Sequence, residues 1–345
     1  MKRAHNDRAG LVGVSRPAPV LQVWQALNIA HDEVMARDES VFILGEDVGL
    51  YGGSYRVTQG LFAKYGEWRV RDTPISENSF TGLGVGAALV GGRPIVEIMT
   101  INFALLALDA IINMAAKLRY MSGGQFKVPL VVRSPGGVAR QLAAQHSQRL
   151  EHTLMNVPGL RIVAPATPQD AYWQLKQAVA CDDPVIVLEH ELLYFTEGPF
   201  DPGADPPPMH AAAVRRRGRD ISLIAWHRMV DVCLEAAREL EADGIDAEVV
   251  DLRSLRPIDL PLLLESVSRT HRALVVEEDC RFAGAGAEIA ATLNEAGFFE
   301  LEAPVQRVAG RDVPTPYNAR LEAASIPDAA AVVRAVRGLL GPREK

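Results

Sequence analysis

Apolar residues at Val20, Val23, Trp24, Leu27 and Ala30 recur at helical spacing and continue to Met35, which predicts an amphipathic helix. Residues 40–45 form a short apolar run ending in glycine, a buried strand. A brief helix is expected at 61–65, then a strand from Trp68 that ends by Pro74. Beyond Glu77 a run rich in Gly and Ala predicts a close-packed helix opening at Gly82, followed by a strand at 95–100. Residues 103–121 read as one long helix, 128–133 as a strand, 160–165 as another. Thr167 and Pro168 supply an N-cap and first-turn proline for a helix at 167–180, before a strand at 184–189. The β-branched run at 128–133 lacks alternation, as in a parallel strand covered on both faces.

Prolines break the pattern at 197–219, which predicts a linker. A second series follows, with strands at 220–226, 247–252 and 273–277 and helices at 230–243, 260–270, 286–296 and 326–340. The fold class is therefore α/β, with two doubly wound domains. The expected division is a loose arm at 1–19, a first domain at 20–196, the linker at 197–219 and a second domain at 220–345. In the 103–121 helix Asp109, Asn113 and Lys117 make a polar stripe one residue wide. A helix so apolar is either central or at a subunit interface, and the interface is favoured.

Composition narrows the function. A length of 345 residues suits two cores, and a net charge of −7 argues against nucleic-acid or anionic-membrane binding. Cys181, Cys233 and Cys280 are scattered and without a Cys-x-x-Cys pair, which points to a reducing compartment and no structural zinc. No long uncharged apolar run predicts a membrane span, and 1–19 has no signal-peptide core; a cytoplasmic location is expected.

Several motifs can be set aside. Gly82, Gly84 and Gly86 lack dinucleotide-loop spacing and read as helix packing, as do Gly284 and Gly286. Glu189, His190 and Glu191 are adjacent at a strand end and point to different faces. The acidic loop from Gly45 to Gly53 is either ligand-facing or a plain βα connection. Two candidates remain. Glu77, beside Ile75 and Phe80 at a strand's carboxyl end, is either a carboxyl that holds or shares a proton or an ordinary first-turn acid. His146, in a long loop at 134–151, is either a proton relay or a hydrogen-bonded loop histidine.

The runs Gly45-Glu-Asp-Val-Gly, Tyr51-Gly-Gly-Ser-Tyr, Asp72-Thr-Pro-Ile-Ser-Glu-Asn-Ser-Phe-Thr-Gly82, Arg119-Tyr-Met-Ser-Gly-Gly124, Gln145-His-Ser-Gln-Arg-Leu-Glu151 and Glu189-His-Glu-Leu-Leu-Tyr194 resemble the beta subunits of 2-oxo-acid dehydrogenases. The likeness spans about 21–340 and is nearest to the cyanobacterial and plastid type acting on pyruvate. It implies a transketolase-like pyrimidine-binding domain and a transketolase carboxyl-terminal domain. It also implies thiamine diphosphate shared with an alpha subunit in an α2β2 heterotetramer, the alpha subunit holding the diphosphate and Mg²⁺. No Gly-Asp-Gly occurs in this chain.

By this resemblance Glu77 meets the pyrimidine N1′, Phe103 packs on the ring with Ile75 and Met99 nearby, and His146 takes part in handing an acyl group to the lipoyl group of an acyltransferase. Potassium is implied at Leu130, Ala178, Val179, Cys181 and Asp183, largely through main-chain carbonyls. The resemblance also implies an aromatic residue before the Pro-Gly step, where this chain reads Arg149-Leu-Glu-His-Thr-Leu-Met-Asn156, which bears on substrate choice. The expected activity is oxidative decarboxylation of pyruvate; the alternatives are a branched-chain 2-oxo-acid or acetoin enzyme of the same architecture, or a non-catalytic scaffold.

Overall fold

The computed structural model describes residues 19–138 and 140–341. Apart from Pro19, the expected arm lies outside the described residues. The larger sheet has the strand order Ser254–Arg256, Arg161–Val163, Val185–His190, Val131–Gly136, Arg93–Glu97, Val41–Gly45, Val70–Asp72. Its neighbours run parallel except at the first pair, which is antiparallel. Val131–Gly136 and Val185–His190 are buried at every position, which is why their apolar runs do not alternate. The smaller sheet is ordered Gln306–Gly310, Ala273–Cys280, Ile221–Ala225, Ala247–Asp251, Ala213–Arg216, parallel but for the last strand.

The 197–219 segment is more than a linker. Glu197–Pro199 pairs with Val20–Gln22, and Ala213–Arg216 pairs with Ala247–Asp251. Pro202, Pro206, Pro207 and Pro208 fall between these strands, where a missing N–H costs no ladder bond. The helix expected at 326–340 runs Ala329–Leu340, starting after Pro327 with the Asp328 side chain accepting from the Ala331 N–H, and a further short helix, Ala319–Ser325, precedes it.

The helix after Pro74 opens at Glu77, not at Gly82, and runs to Leu89. Gly84 lies inside it because a Cβ there would sit 2.7 Å from Val96 Cγ2, so this glycine lets helix and sheet approach. Gly82 and Gly86 face open space.

The single helix expected at 103–121 is instead a tight 3₁₀ segment, Ile101–Ala107, a wide π segment, Asp109–Ala115, and a short α-helix, Ala116–Met121. Burial gives the reason. Ile101, Ala104 and Ala107 enter the core three apart, the repeat that a 3₁₀ turn stacks on one face. Among the described residues no single helix is long and apolar enough to cross a membrane; Ile101–Ala107 and Asp109–Met121 meet that length and composition only as a pair bent by 59°.

The halves share one core. An apolar cluster runs from Val96, Val132 and Ile186 of the larger sheet through Leu255 to Ile224, Val250 and Val275 of the smaller. Charge ties them as well. Asp170, on helix Pro168–Ala180, accepts from Arg253 Nε at 2.7 Å and pairs with Arg215, which also reaches Asp251 at 2.7 Å. Asp170 and Arg253 are buried, so removing the carboxylate strands a guanidinium without solvent. Asp170→Ala is expected to destabilise the chain by about 3–5 kcal/mol in urea unfolding, and a loss below about 1 kcal/mol would show that the pair contributes little.

Candidate active site

Gly45 lies opposite Asp72 on one side and Glu97 on the other, so three strands end level at the carboxyl edge of the sheet. Open α/β sheets bind ligands at that edge. Glycine is required at 45 because a Cβ would collide with the Glu97 carbonyl oxygen. The next residue, Glu46, is buried, and so is Glu77 at 3% exposure. Burial raises the pKa of Glu46, helped by the charges of Glu77 and Asp47 and by contact with the Glu77 carboxyl. The two carboxyls therefore lie beside one another at the sheet edge, with Glu46 in surroundings that favour its neutral form.

Among the described residues Glu46 Oε1 has no hydrogen-bond partner, so the pair keeps an acceptor unspent. A first-turn acid that only serves the helix dipole stays in water. The burial of Glu77 is what an ordinary first-turn acid does not explain.

Phe103 and His146 meet edge to face, their ring centroids 5.5 Å apart at 81°. Helix Glu77–Leu89 packs against Ile101–Ala107, which places the carboxyl pair and the aromatic pair on neighbouring elements. The loop bearing His146 is fixed there by Asn102, whose Oδ1 accepts from the Gln148 N–H at 2.9 Å while its Nδ2 donates to Thr100. His146 itself is exposed and Met99 half-buried. Ile75 is 84% exposed, so within this chain it does not wall Glu77 as its position in the sequence implied.

Behind the edge, Arg133 is buried between two carboxylates. It donates to both oxygens of Glu189 at 2.7 and 2.6 Å and to Glu97 at 2.5 Å. Tyr194 donates to Glu189 and stacks on Tyr55 at 4.5 Å. Glu189, His190 and Glu191 do diverge, the first to Arg133, the second to Glu278 at 2.8 Å, the third into a buried position facing Tyr55. Burial pushes the Glu191 carboxyl up to about 7 against the pull of Tyr55, Arg149 and Arg140.

The potassium positions are partly engaged already. The Val179 and Cys181 carbonyls accept from Arg93 Nη1 at 2.7 and 3.2 Å, so a guanidinium brings positive charge to them. The Leu130 carbonyl accepts from Val185 and that of Ala178 from Cys181, while the Asp183 carboxylate pairs with Arg119 and Arg161. Among the described residues no group of three or more His, Cys, Asp or Glu is placed to hold a metal ion.

Glu46 is the residue that sequence reasoning passed over. It stood in a glycine-rich turn that could be ligand-facing or a plain connection, and only strand register brings it to Glu77. Its signal was the position directly after a buried strand, one sheet neighbour away from the helix carrying Glu77.

Both halves of the chain match domains of the transketolase class. Residues 20–196 match the transketolase pyrimidine-binding domain and residues 210–332 the transketolase C-terminal domain. A solved split-gene transketolase, described as an inactive β4 tetramer, superposes with a TM-score of 0.75 at 26% identity, over 93% of this chain and 98% of that one. The chain belongs to the family of pyruvate dehydrogenase E1 component beta subunits. It is 49% identical to that of Porphyra purpurea over 92% of this chain and 96% of the relative. It is 46% identical to the mitochondrial one of Caenorhabditis elegans over 95% of each, and 45% identical to that of Rickettsia felis over 92% and 97%.

An acid with a raised native pKa binds more protons folded than unfolded, so stability falls as pH rises between its two values. For Glu191 that window runs from about 4.3 unfolded to about 7 folded. Glu191→Gln is expected to flatten the decline of Tm across that window relative to wild type. An unchanged slope would remove Glu191 as its source.

Proposed function

We propose that this chain is the beta half of an α2β2 enzyme that oxidatively decarboxylates pyruvate and passes the acetyl group to a lipoyl acyltransferase. The observation that carries the proposal is the buried Glu46 and Glu77 pair with its unspent acceptor at the sheet edge. The names and near full-length coverage of the relatives support the substrate.

Thiamine diphosphate, when bound, supplies the electron sink that accepts the pair released as CO2 leaves. The residues present fit its aminopyrimidine. Glu77 would hold a proton at the pyrimidine N1′, with Glu46 behind it to exchange that proton, and Phe103 would pack on the ring. The diphosphate and Mg²⁺ fall to the alpha subunit, since this chain lacks the Gly-Asp-Gly motif. The exposed Leu105, Leu106, Met114, Tyr120 and Met121, together with Ile75, form apolar surface that favours the alpha subunit docking here.

His146 would serve the transfer, in which pyruvate, a lipoyl disulfide and one proton give CO2, an acetyl thioester on one sulfur and a thiol on the other. The two electrons lost by the pyruvate carbonyl carbon reduce the disulfide. Potassium would have to share the Val179 and Cys181 carbonyls with Arg93; a Tm increase specific to K⁺ over Na⁺ would show that it does.

Leu154 and Met155, in the run where the resemblance implies an aromatic residue in relatives, are buried in the common core. One methylene in a pocket alters discrimination by only about 1–3 kcal/mol, which keeps branched-chain 2-oxo acids and acetoin as alternatives. Steady-state rates with pyruvate, 3-methyl-2-oxobutanoate and acetoin separate them. Glu77→Gln, assembled with the alpha subunit, is expected to slow exchange of the thiazolium C2 proton by about 10²–10⁴-fold with the tetramer intact. Undiminished exchange would favour the scaffold reading.

A further inference from the structure

One carboxylate from the second half of the chain holds both ends of the loop that carries His146. Glu278 lies on strand Ala273–Cys280, and its side chain is buried. Its Oε1 accepts from the Val138 N–H at 2.5 Å, where the loop leaves strand Val131–Gly136. Its Oε2 pairs with Arg149 Nη2 at 2.6 Å, where the loop enters helix Glu151–Met155. The same oxygen meets His190 Nε2 at 2.8 Å. Since His190 Nδ1 accepts from the Leu192 N–H, its Nε2 carries the proton and donates to Glu278.

Burial alone would raise the Glu278 pKa, but Arg149 and His190 hold it well below the usual carboxylate range. The clamp sits on Gly137, where a Cβ would come within 2.7 Å of His190 Nε2 and closer still to the Arg149 guanidinium. Weaker contacts from the same half add to it: Thr315 Oγ1 to the Ser147 carbonyl at 3.4 Å, and Gln141 Nε2 to the Tyr317 carbonyl at 3.4 Å. Between the anchors Arg140, Gln141 and Ala143 have left-handed backbone angles, which non-glycine residues adopt only when held.

We propose that Glu278 is a positioning residue that sets the His146 loop, so that the second half of the chain governs acyl transfer without touching cofactor or substrate. The proposal rests on the assignment of His146 to the transfer step.

The test uses the assembled holoenzyme and two rates: pyruvate decarboxylation read with an artificial electron acceptor, and acetylation of an isolated lipoyl domain. Glu278→Gln keeps an acceptor for Val138 but loses the charge that binds Arg149. It is expected to slow lipoyl acetylation roughly 10- to 100-fold, the scale of a small misplacement, and to leave decarboxylation within about twofold. The double variant with His146→Ala is expected to be no slower than His146→Ala alone. Equal loss of both rates, or multiplied losses in the double variant, would overturn the proposal.

If Glu278→Gln fails to assemble, Glu278→Asp takes its place. That variant keeps the charge but is too short to span both anchors, and the absence of a selective transfer defect would overturn the proposal equally. Should His146→Ala transfer normally, the assignment of His146 fails and the proposed effect on transfer fails with it. Hydrogen exchange at the Val138 amide then distinguishes the two failures: faster exchange in Glu278→Gln would preserve the clamp as a structural device, unchanged exchange would remove that too.

Discussion

A guanidinium buried in a sheet must be neutralised where it lies, and Arg133 sets that requirement for the larger sheet of this protein. Removing an ion from water costs several kcal/mol unless geometry and hydrogen bonds return it. Here Glu189 takes the guanidinium with both oxygens and Glu97 takes it from the neighbouring strand. The carboxyl ends of three adjacent strands are thereby locked together. Glu46 follows the next strand over, Val41–Gly45, and the loop with His146 leaves the central strand Val131–Gly136 itself.

Rigidity at the edge has a counterpart between the halves. Asp170 with Arg215 and Arg253 closes one end of the shared core, and Glu278 with Arg149 and His190 closes another. The second unit is thus an arm of the site's support as well as a fold in its own right. Pairing of Ser254–Arg256 with Arg161–Val163 makes the same point in the backbone, since a strand of the later half completes the sheet of the earlier one.

Among the described residues Glu46 Oε1 is unpartnered, and Ile75 with the apolar residues around Met114 is uncovered. The first leaves the carboxyl pair at the sheet edge an acceptor to spend, and the second leaves apolar surface open to another protein. Both fit a chain whose relatives are named as one subunit of a larger component.

Sequence alone determined the alternation of strands and helices, the parallel character of the buried strands and the candidacy of Glu77 and His146, because these depend on periodicity and local residue types, while Phe103 became a candidate only through the family resemblance. It did not determine the break of the 103–121 helix, where burial at Ile101, Ala104 and Ala107 overrides propensity. Nor could it place strands inside the 197–219 segment, whose pairing partners lie far away in the chain. Above all it could not join Glu46 to Glu77, Phe103 to His146, or Glu278 to both ends of a loop more than a hundred residues earlier. Those meetings are set by strand register and by the docking of two units, and both are long-range packing outcomes that no local pattern encodes.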